Sequence, residues 1–284
     1  MKKAISVFSI ALLLTLAIVT AAGAITWGEP DDNEHPFVGT LLFVQNGVGF
    51  YSCTGTLIAP RVMLTAGHCV EEDGNINDLT YVRFDEDPLA DYYSPTIDWL
   101  NDKWLAVETV IPHPLYDSYA TFPLTYDVGV VILAEPYYPL DGDGNPIFGT
   151  LPELGFLEGL RGRDKNYFVS VGYGLQGTLP PFAQDDYQRY KGNVRMLELK
   201  SMLTGRGIAS VKFSNNPGIN GGTCYGDSGG PTFYKDTTTV VAVTSFGWAK
   251  NGHCVGNDFS YRMDTQDALD FVEGILAEYG DSSN

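Results

Sequence analysis

The chain has 284 residues, enough for one large domain or two small ones, and 44% of them are hydrophobic. Its 35 acidic residues against 17 basic ones give a formal net charge of −18. Because nucleic acids and anionic membrane surfaces attract cationic proteins, this balance argues against both as partners. The composition is typical of a soluble secreted protein with a solvated acidic surface.

The first residues have the pattern of a signal peptide. Lys2 and Lys3 precede an apolar run over residues 4–19, and residues 22–24 are small, as signal peptidase requires. An uncleaved membrane anchor is the alternative, since the run approaches the length that spans a bilayer. We expect residues 1–24 to be removed and the mature protein to be secreted without membrane attachment.

Short strand-like segments dominate the rest of the chain. They are rich in Val, Ile, Tyr and Thr and are separated by Gly, Pro, Asn and Asp. They lie at residues 38–44, 56–58, 62–65, 79–84, 105–111, 128–133, 168–171 and 240–245. Helices do not alternate with them as a parallel sheet requires, so the sequence predicts an all-β barrel or sandwich. The one convincing helix is C-terminal, at about residues 264–279.

Residues 136–150, rich in Pro, Gly and Asp, are the best candidate linker. They separate two parts of similar size, at about residues 25–135 and 151–263. Within the linker, carboxylates at alternate positions of residues 141–145 resemble the start of a calcium loop. The remaining spacing and the closing glutamate of an EF-hand are missing, so we interpret this stretch as an acidic turn.

Three short motifs carry residues suited to nucleophilic catalysis. Residues 222–231 read Gly-Thr-Cys-Tyr-Gly-Asp-Ser-Gly-Gly-Pro, which places Ser228 in a tight glycine-rich turn. Serine is a weak nucleophile at its own pKa, so it needs a base and a group that orients the base. Upstream motifs supply His68, in Leu-Thr-Ala-Gly-His-Cys, and Asp127, at the head of an apolar strand.

The order His68, Asp127, Ser228 and the motifs around these residues closely resemble the chymotrypsin/trypsin-like serine protease family. The resemblance runs from about Ile25 to the C-terminal helix. It implies an all-β fold of two six-stranded antiparallel β-barrels packed around a cleft, with a C-terminal α-helix. It also implies that His68 is the general base, that Asp127 orients it, and that backbone N–H groups of Gly226 and Ser228 form the oxyanion hole.

The four cysteines fit an exported protein, because export permits disulfides. The sequence alone allows three pairings, and the resemblance selects Cys53–Cys69 and Cys224–Cys254, each bracing a catalytic segment. No Cys-x-x-Cys pair occurs, which argues against zinc. We expect no cofactor for the chemistry, while a structural calcium ion near the acidic residues 85–87 stays open.

Two other classes of function compete with a protease. Gly226, Ser228 and Gly230 also match the Gly-x-Ser-x-Gly elbow of α/β-hydrolases, but that fold places the acid and the histidine after the serine. Here only His253 follows, and the helices are missing. A catalytically silent, protease-like binding protein is the remaining rival. For the protease we expect protein or peptide substrates, protein inhibitors and a monomeric state.

Asp227 has a separate role in the family, where the aspartate before the serine pairs with a newly exposed N-terminal ammonium group. Residues 25–28, Ile-Thr-Trp-Gly, resemble the family's new N-terminus and depart from its Ile-Val-Gly-Gly at the second and third positions. We hypothesise that removal of the signal peptide itself releases Ile25. Separate activation at a nearby bond is the alternative.

The resemblance also implies a specificity pocket. Its candidate residues are Gly222, Thr223, Ser245, Phe246, Gly247 and Asp258. Trypsin-like members carry aspartate where this chain has Gly222, at the base of the pocket, so the chain departs from their pattern. Asp258 aligns near the pocket floor opposite Gly222, with a surface position as the alternative. The stretch from Ser245 to Gly247 resembles the edge strand that pairs with the substrate backbone. We favour Arg or Lys at the cleaved position, with broad or small apolar specificity as the alternative.

Overall fold

The structure is a computed structural model of the chain. It describes residues 25–45, 48–77, 79–92, 97–117, 123–178, 187–216, 221–248 and 253–280. The predicted signal peptide, residues 1–24, lies outside the described residues. Among the residues that are described, none of the helices has both the length and the apolar character needed to cross a bilayer.

The first half of the chain forms a closed antiparallel barrel. The strands in this half of the chain are β1 (Glu29–Pro30), β2 (Val38–Gln45), β3 (Val48–Ala59), β4 (Val62–Thr65), β5 (Glu71–Glu72), β6 (Asn75–Ile76), β7 (Leu79–Arg83), β8 (Leu105–Pro112) and β9 (Gly129–Leu133). Strand β1 joins the second sheet, and β5 and β6 pair with each other in a separate two-stranded sheet. The other six strands close the barrel in the order β2-β3-β4-β9-β8-β7. Strand β9 is buried at every position. Its Val, Ile and Leu side chains fit an element covered on both faces.

The second half forms a curled antiparallel sheet. Its strands are β10 (Phe168–Gly172), β11 (Tyr190–Val194), β12 (Met196–Glu198), β13 (Ser210–Asn215), β14 (Pro231–Tyr234), β15 (Val240–Trp248) and β16 (Gly256–Arg262). The order is β1-β11-β10-β14-β15-β16-β13-β12. Strands β11 and β12 are one run of chain interrupted at Arg195. The first part of this run, β11, pairs with β10, and the second part, β12, pairs with β13.

The predicted all-β fold is therefore confirmed. The second sheet counts eight strands rather than six because the run from β11 to β12 is split at Arg195 and the two-residue β1 adds an edge. The sheet curls so that β11, near one end of the strand order, and β12, at the other end, belong to the same run of chain. The result is a half-barrel. The half-barrel packs against the closed barrel, for example where the Thr54 hydroxyl donates to the Gly226 carbonyl oxygen at 2.9 Å, and the boundary between them is here termed the cleft.

Three helices occur in the described part of the chain, where the sequence predicts one. They are α1 (Ile97–Lys103), α2 (Phe156–Gly159) and α3 (Gln266–Tyr279). The C-terminal helix α3 is confirmed, and the Thr265 hydroxyl caps it by accepting the N–H of Ala268. Helix α1 was not predicted because its seven residues are too few to show a helical period. It is held by the packing of its buried Trp99 and Leu100.

Residues 136–150 connect the two halves without forming a named strand. The Asp141 carboxylate accepts the backbone N–H groups of Asp143 and Asn145 at 2.9 and 2.8 Å. A carboxylate that closes its own loop in this way is an Asx-type turn. This geometry agrees with the interpretation of the stretch as an acidic turn.

A buried ion pair ties the N-terminal segment to both halves. Arg189 is 1% exposed, and its Nε lies 2.8 Å from Oδ2 of the fully buried Asp31. Another guanidinium nitrogen donates to the carbonyl oxygens of Val38 and Phe84 in the first half. Burial raises the pKa of Asp31, but its hydrogen bond with His35 and the charges of His35 and Arg189 outweigh burial and lower it to about 2. The carboxylate therefore stays ionised, as a buried pair requires.

Candidate active site

His68 and Asp127 lie next to each other at one end of the closed barrel. His68 lies in a short 3₁₀ turn after β4, and Asp127 lies just before β9. Because β4 and β9 pair antiparallel, with Thr65 opposite Gly129, the two segments leave the sheet side by side. Nδ1 of His68 lies 2.9 Å from Oδ2 of Asp127, and the backbone N–H of His68 donates to Oδ1 at 2.9 Å.

The surroundings of Asp127 keep it ionised. Asp127 is 5% exposed, and the hydroxyl of Ser245 donates to its Oδ2. Burial raises the pKa of Asp127, but the charge of His68 and the hydrogen bonds from His68 and Ser245 lower it below its usual value. Burial likewise lowers the pKa of His68, yet the charge and hydrogen bond of Asp127 raise it overall. The pair therefore stabilises the imidazolium that forms when a base accepts a proton.

The turn that carries Ser228 is fixed between the two halves of the molecule. The carbonyl oxygen of Ser228 accepts the N–H of Thr54 in β3 at 2.8 Å, and the N–H of Gly229 donates to Thr244 in β15 at 2.8 Å. A Cβ at Gly229 would overlap the hydroxyl of Thr65, and the φ of Gly229 is +79°. Glycine is required there, because a side chain would push the turn off the first barrel.

Asp227 anchors the same turn from inside the second half. It is fully buried, and its two carboxylate oxygens accept the N–H groups of Gly174 and Cys224, each at 2.8 Å. Gly226 has a φ of +97°, which side chains rarely adopt, and a Cβ added there would overlap the Cα of Gly174. The backbone at 226–228 is thus held in one conformation, as a set of preorganised N–H donors would need.

The two disulfides brace the segments on either side of the cleft. Cys53 bonds to Cys69, beside His68, and Cys224 bonds to Cys254, beside the serine turn. This is the pairing that the family resemblance implies. Cys53, His68 and Cys69 also lie close enough to suggest a metal cluster, but their sulfur atoms are joined to each other. A sulfur in a disulfide is not a thiolate, and the thiolate is the form that binds metals.

Ile25 lies inside the second half of the molecule. Its side chain is fully buried against Tyr190, and a Cβ at Gly192 would overlap it. The next residue, Thr26, pairs with Gly222: the N–H of Thr26 donates to the Gly222 oxygen at 2.8 Å, and the N–H of Gly222 donates back at 3.1 Å. The segment that starts at Ile25 is therefore docked against β11 and against Gly222, the residue that precedes Thr223.

A pocket of about 300 Å³ opens beside Ser228. Its lining residues are Thr223, Cys224, Tyr225, Ser228, Thr244, Ser245, Phe246, Gly247, His253, Cys254, Val255, Asn257 and Asp258. Of the predicted pocket residues, Gly222 does not line it. The side chain of Asn215 fills the space where a side chain at 222 would lie. No sequence signal indicated Asn215, since it lies in a run that reads as a turn.

Asp258 lies in the pocket rather than on the surface. It is 3% exposed, and its two oxygens accept Nδ2 of Asn215 at 2.9 Å and the N–H of Thr223 at 2.6 Å. Burial raises the pKa of Asp258 to about 6, although the hydrogen bonds from Asn215 and Thr223 lower it in part. An acid with this pKa is charged at neutral pH and neutral in mild acid.

The closed barrel, the curled second sheet, the C-terminal helix and the cleft between them define a chymotrypsin-like fold. The Trypsin family model matches residues 25–267, and the chain belongs to this family. The CLIP domain-containing serine protease B15 of Anopheles gambiae is 28% identical over 87% of this chain and 70% of its own length. Chymotrypsin-like elastase family member 1 of Canis lupus familiaris is 27% identical over 80% of this chain and 82% of its own length.

Solved structures share the fold at lower sequence identity. HL collagenase superposes with a TM-score of 0.61 at 17% identity, covering 91% of this chain and 100% of its own. The scabies mite inactivated protease paralogue S-I1 superposes with a TM-score of 0.58 at 17% identity, covering 88% and 99%. At these identities the similarity shows the fold and leaves the activity to the site itself.

The contact between His68 and Asp127 predicts a distinctive titration. In the native protein we expect the pKa of His68 to lie above 6.5, because attraction to Asp127 exceeds the effect of burial. In Asp127→Asn the attraction is lost and burial remains, so the pKa should fall below 6.5. NMR of the ring protons measures both. His113, whose pKa burial lowers despite Asp267 nearby, should stay below 6.5 in both proteins; an unchanged His68 would contradict the prediction.

Proposed function

We propose that the protein is a secreted serine endopeptidase in which Ser228 is the nucleophile, His68 the general base and Asp127 the group that orients the base. The observation that carries the proposal is the hydrogen-bonded pair of His68 and Asp127 at the cleft where the serine turn is fixed. Ser245 supports it further, because this residue both donates to Asp127 and lines the pocket with Ser228. Membership of a protease family implies protein or peptide substrates.

In the proposed mechanism, His68 accepts the Ser228 proton as the hydroxyl oxygen attacks the scissile carbonyl carbon. His68 then gives the proton to the leaving amine, and water hydrolyses the acyl-enzyme by the same route. The N–H groups of Gly226 and Ser228 donate hydrogen bonds to the negatively charged oxygen of each tetrahedral intermediate. One such donor typically contributes about 3–4 kcal/mol to transition-state stabilisation. The chemistry needs no cofactor, and we propose that the enzyme acts as a monomer that protein inhibitors can block.

The buried position of Ile25 supports activation by release of its amino group. Asp227 is fully buried in the same half of the molecule, and a buried carboxylate is stable when it is paired. We propose that the α-amino group of Ile25, once free, pairs with Asp227. Residues 1–24 would then serve as the signal peptide, whose removal leaves Ile25 first.

Specificity for Arg or Lys is supported by the place of Asp258. It contributes a carboxylate to the pocket beside Ser228, while Phe246 and Val255 contribute apolar surface along the wall. A guanidinium or ammonium group reaching Asp258 would compensate its burial. Small apolar side chains also fit a pocket of this size. With such a side chain bound, Asp258 would keep only the hydrogen bonds from the neutral residues Asn215 and Thr223.

Removal of the nucleophile tests the reaction class. Ser228→Ala should lower kcat on peptide substrates by roughly 10⁶, since nucleophile and base act as a unit. The native protein should be labelled at Ser228 by a serine-reactive fluorophosphonate, as peptide mapping by mass spectrometry would show. Ser201→Ala, which changes a serine in a loop outside the cleft, is the matched control. A folded native protein with neither labelling nor peptidase activity would instead be a protease-like binding protein.

The ionisation of Asp258 predicts a specificity that depends on pH. The ratio of kcat/KM for an Arg substrate over an Ala substrate should rise as pH increases through about 6, because Asp258 becomes charged. The ratio cancels the shared titration of His68. In Asp258→Asn the ratio should be low and independent of pH. A native ratio that stays flat from pH 5 to 8 would rule out charge recognition by Asp258.

The mature N-terminus is directly measurable. Edman sequencing of the fully active secreted protein should begin at Ile25, because a preceding residue would place the charge away from Asp227. A start elsewhere in fully active enzyme would overturn release of Ile25 as the activating event. An inactive secreted form that starts upstream and gains activity on cleavage before Ile25 would show a separate activation step.

A further inference from the structure

Asn215 is bonded to three separate segments at the pocket floor. It is 1% exposed, and its Nδ2 donates to Oδ1 of Asp258 at 2.9 Å and to the carbonyl oxygen of Thr223 at 2.8 Å. Its Oδ1 lies 2.8 Å from the hydroxyl of Thr26, which donates to it. A primary amide has two donor hydrogens and one acceptor oxygen, so these contacts determine which way round the group lies.

The position of Asn215 depends on the glycine at 222. A Cβ at Gly222 would overlap Cβ, Cγ and Oδ1 of Asn215. A side chain at 222 and the observed side chain at 215 therefore exclude each other. The carboxylate of this pocket comes instead from Asp258 in β16, which pairs with β13 beside Asn215.

Asp258 has unused hydrogen-bonding capacity. In the described part of the chain its donors belong to two uncharged residues: Nδ2 of Asn215, and both the backbone N–H and the side chain of Thr223. The two carboxylate oxygens can together accept about four hydrogen bonds, so with three accepted one site remains for a cationic side chain. The direction of that site is set by the donors already present.

We propose that Thr26, Asn215 and Asp258 form a pocket relay, through which the docked N-terminal segment orients the carboxylate that recognises a basic side chain. This inference rests on the proposed protease function. Asn215 is the positioning residue of the relay. If its amide turned over, Oδ1 would face the Asp258 carboxylate and Nδ2 would face the Thr26 hydroxyl. Two acceptors in contact repel each other, so Asp258 and the Thr223 carbonyl oxygen set which way round the amide lies. The Thr26 hydroxyl, by donating to Oδ1, holds the amide in this place against Asp258.

The relay begins at a position where the chain departs from the family pattern of Ile-Val-Gly-Gly. Valine at position 26 has the shape of threonine but no hydroxyl, so it could pair through its backbone with Gly222 and could not donate to Asn215. Thr26→Val is therefore a substitution that the fold tolerates by comparison with the family. It removes the hydrogen bond from Thr26 that holds the amide of Asn215 in place, together with the contact of the same hydroxyl with the Gly222 carbonyl oxygen at 3.1 Å.

The test compares two peptide substrates that differ only in Arg or Ala at the cleaved position. Asn215→Ala should lower the Arg-over-Ala ratio of kcat/KM by about tenfold, roughly the effect of one hydrogen bond to a charged group. Thr26→Val should lower it by about threefold, since one neutral hydrogen bond is lost. Both losses should appear mainly as a higher KM for the Arg substrate. Thr26→Ser restores the hydroxyl and should restore the ratio.

Ser214→Ala is the matched control for Asn215→Ala. Ser214 is the neighbour of Asn215 in β13, and its hydroxyl accepts the N–H of Arg195 rather than contacting the pocket. A native ratio below one, or a ratio that Asn215→Ala leaves unchanged, overturns the relay. If Asn215→Ala is not recovered folded, the pair Thr26→Val and Thr26→Ser decides, and equal ratios overturn the role of Thr26. Failure of the proposed function looks different: neither substrate is cleaved and Ser228 is not labelled, which overturns both proposals.

Discussion

Asp127 is held by donors from both halves of the molecule. The backbone N–H and the ring of His68 come from the closed barrel, and the hydroxyl of Ser245 comes from the second sheet. A buried carboxylate that lost these donors would carry an uncompensated charge, which is costly in a low-dielectric interior. The two halves must therefore dock correctly for Asp127 to receive all of its hydrogen bonds. The cleft and the serine turn beside it take their shape from that docking.

The same arrangement recurs at other buried carboxylates, three of which lie close to the site. Asp31 pairs with Arg189, Asp227 accepts backbone N–H groups from Gly174 and Cys224, and Asp258 accepts donors from two further segments. In each case at least one donor comes from a distant part of the sequence. The acidic excess of the chain therefore includes a small interior set that joins segments which local secondary structure would leave independent. These carboxylates lie where the N-terminal segment, the serine turn and the pocket floor meet.

The sequence predicts those parts of the structure whose signal is local. Strand β9 is a run of branched apolar residues, and its burial follows from its composition. Strand β11 contains lysine, glycine and asparagine, and it forms because β1 and β10 pair with it on either side. Asn215 shows the same limit at the site. Its position beside Asp258 depends on the register of β13 with β16, and its room depends on Gly222, neither of which is visible in the residues around it.

The location of the pocket carboxylate determines what controls its charge. A residue at 222 is paired directly with Thr26 through the backbone, whereas the carboxylate of Asp258 is linked to the Thr26 hydroxyl through the side chain of Asn215. With donors from two neutral residues, burial leaves the pKa of Asp258 raised to about 6. A cation that entered the pocket would offset that burial and lower the pKa. Binding of a basic side chain and ionisation of Asp258 must then favour each other equally, because coupling between two equilibria is reciprocal.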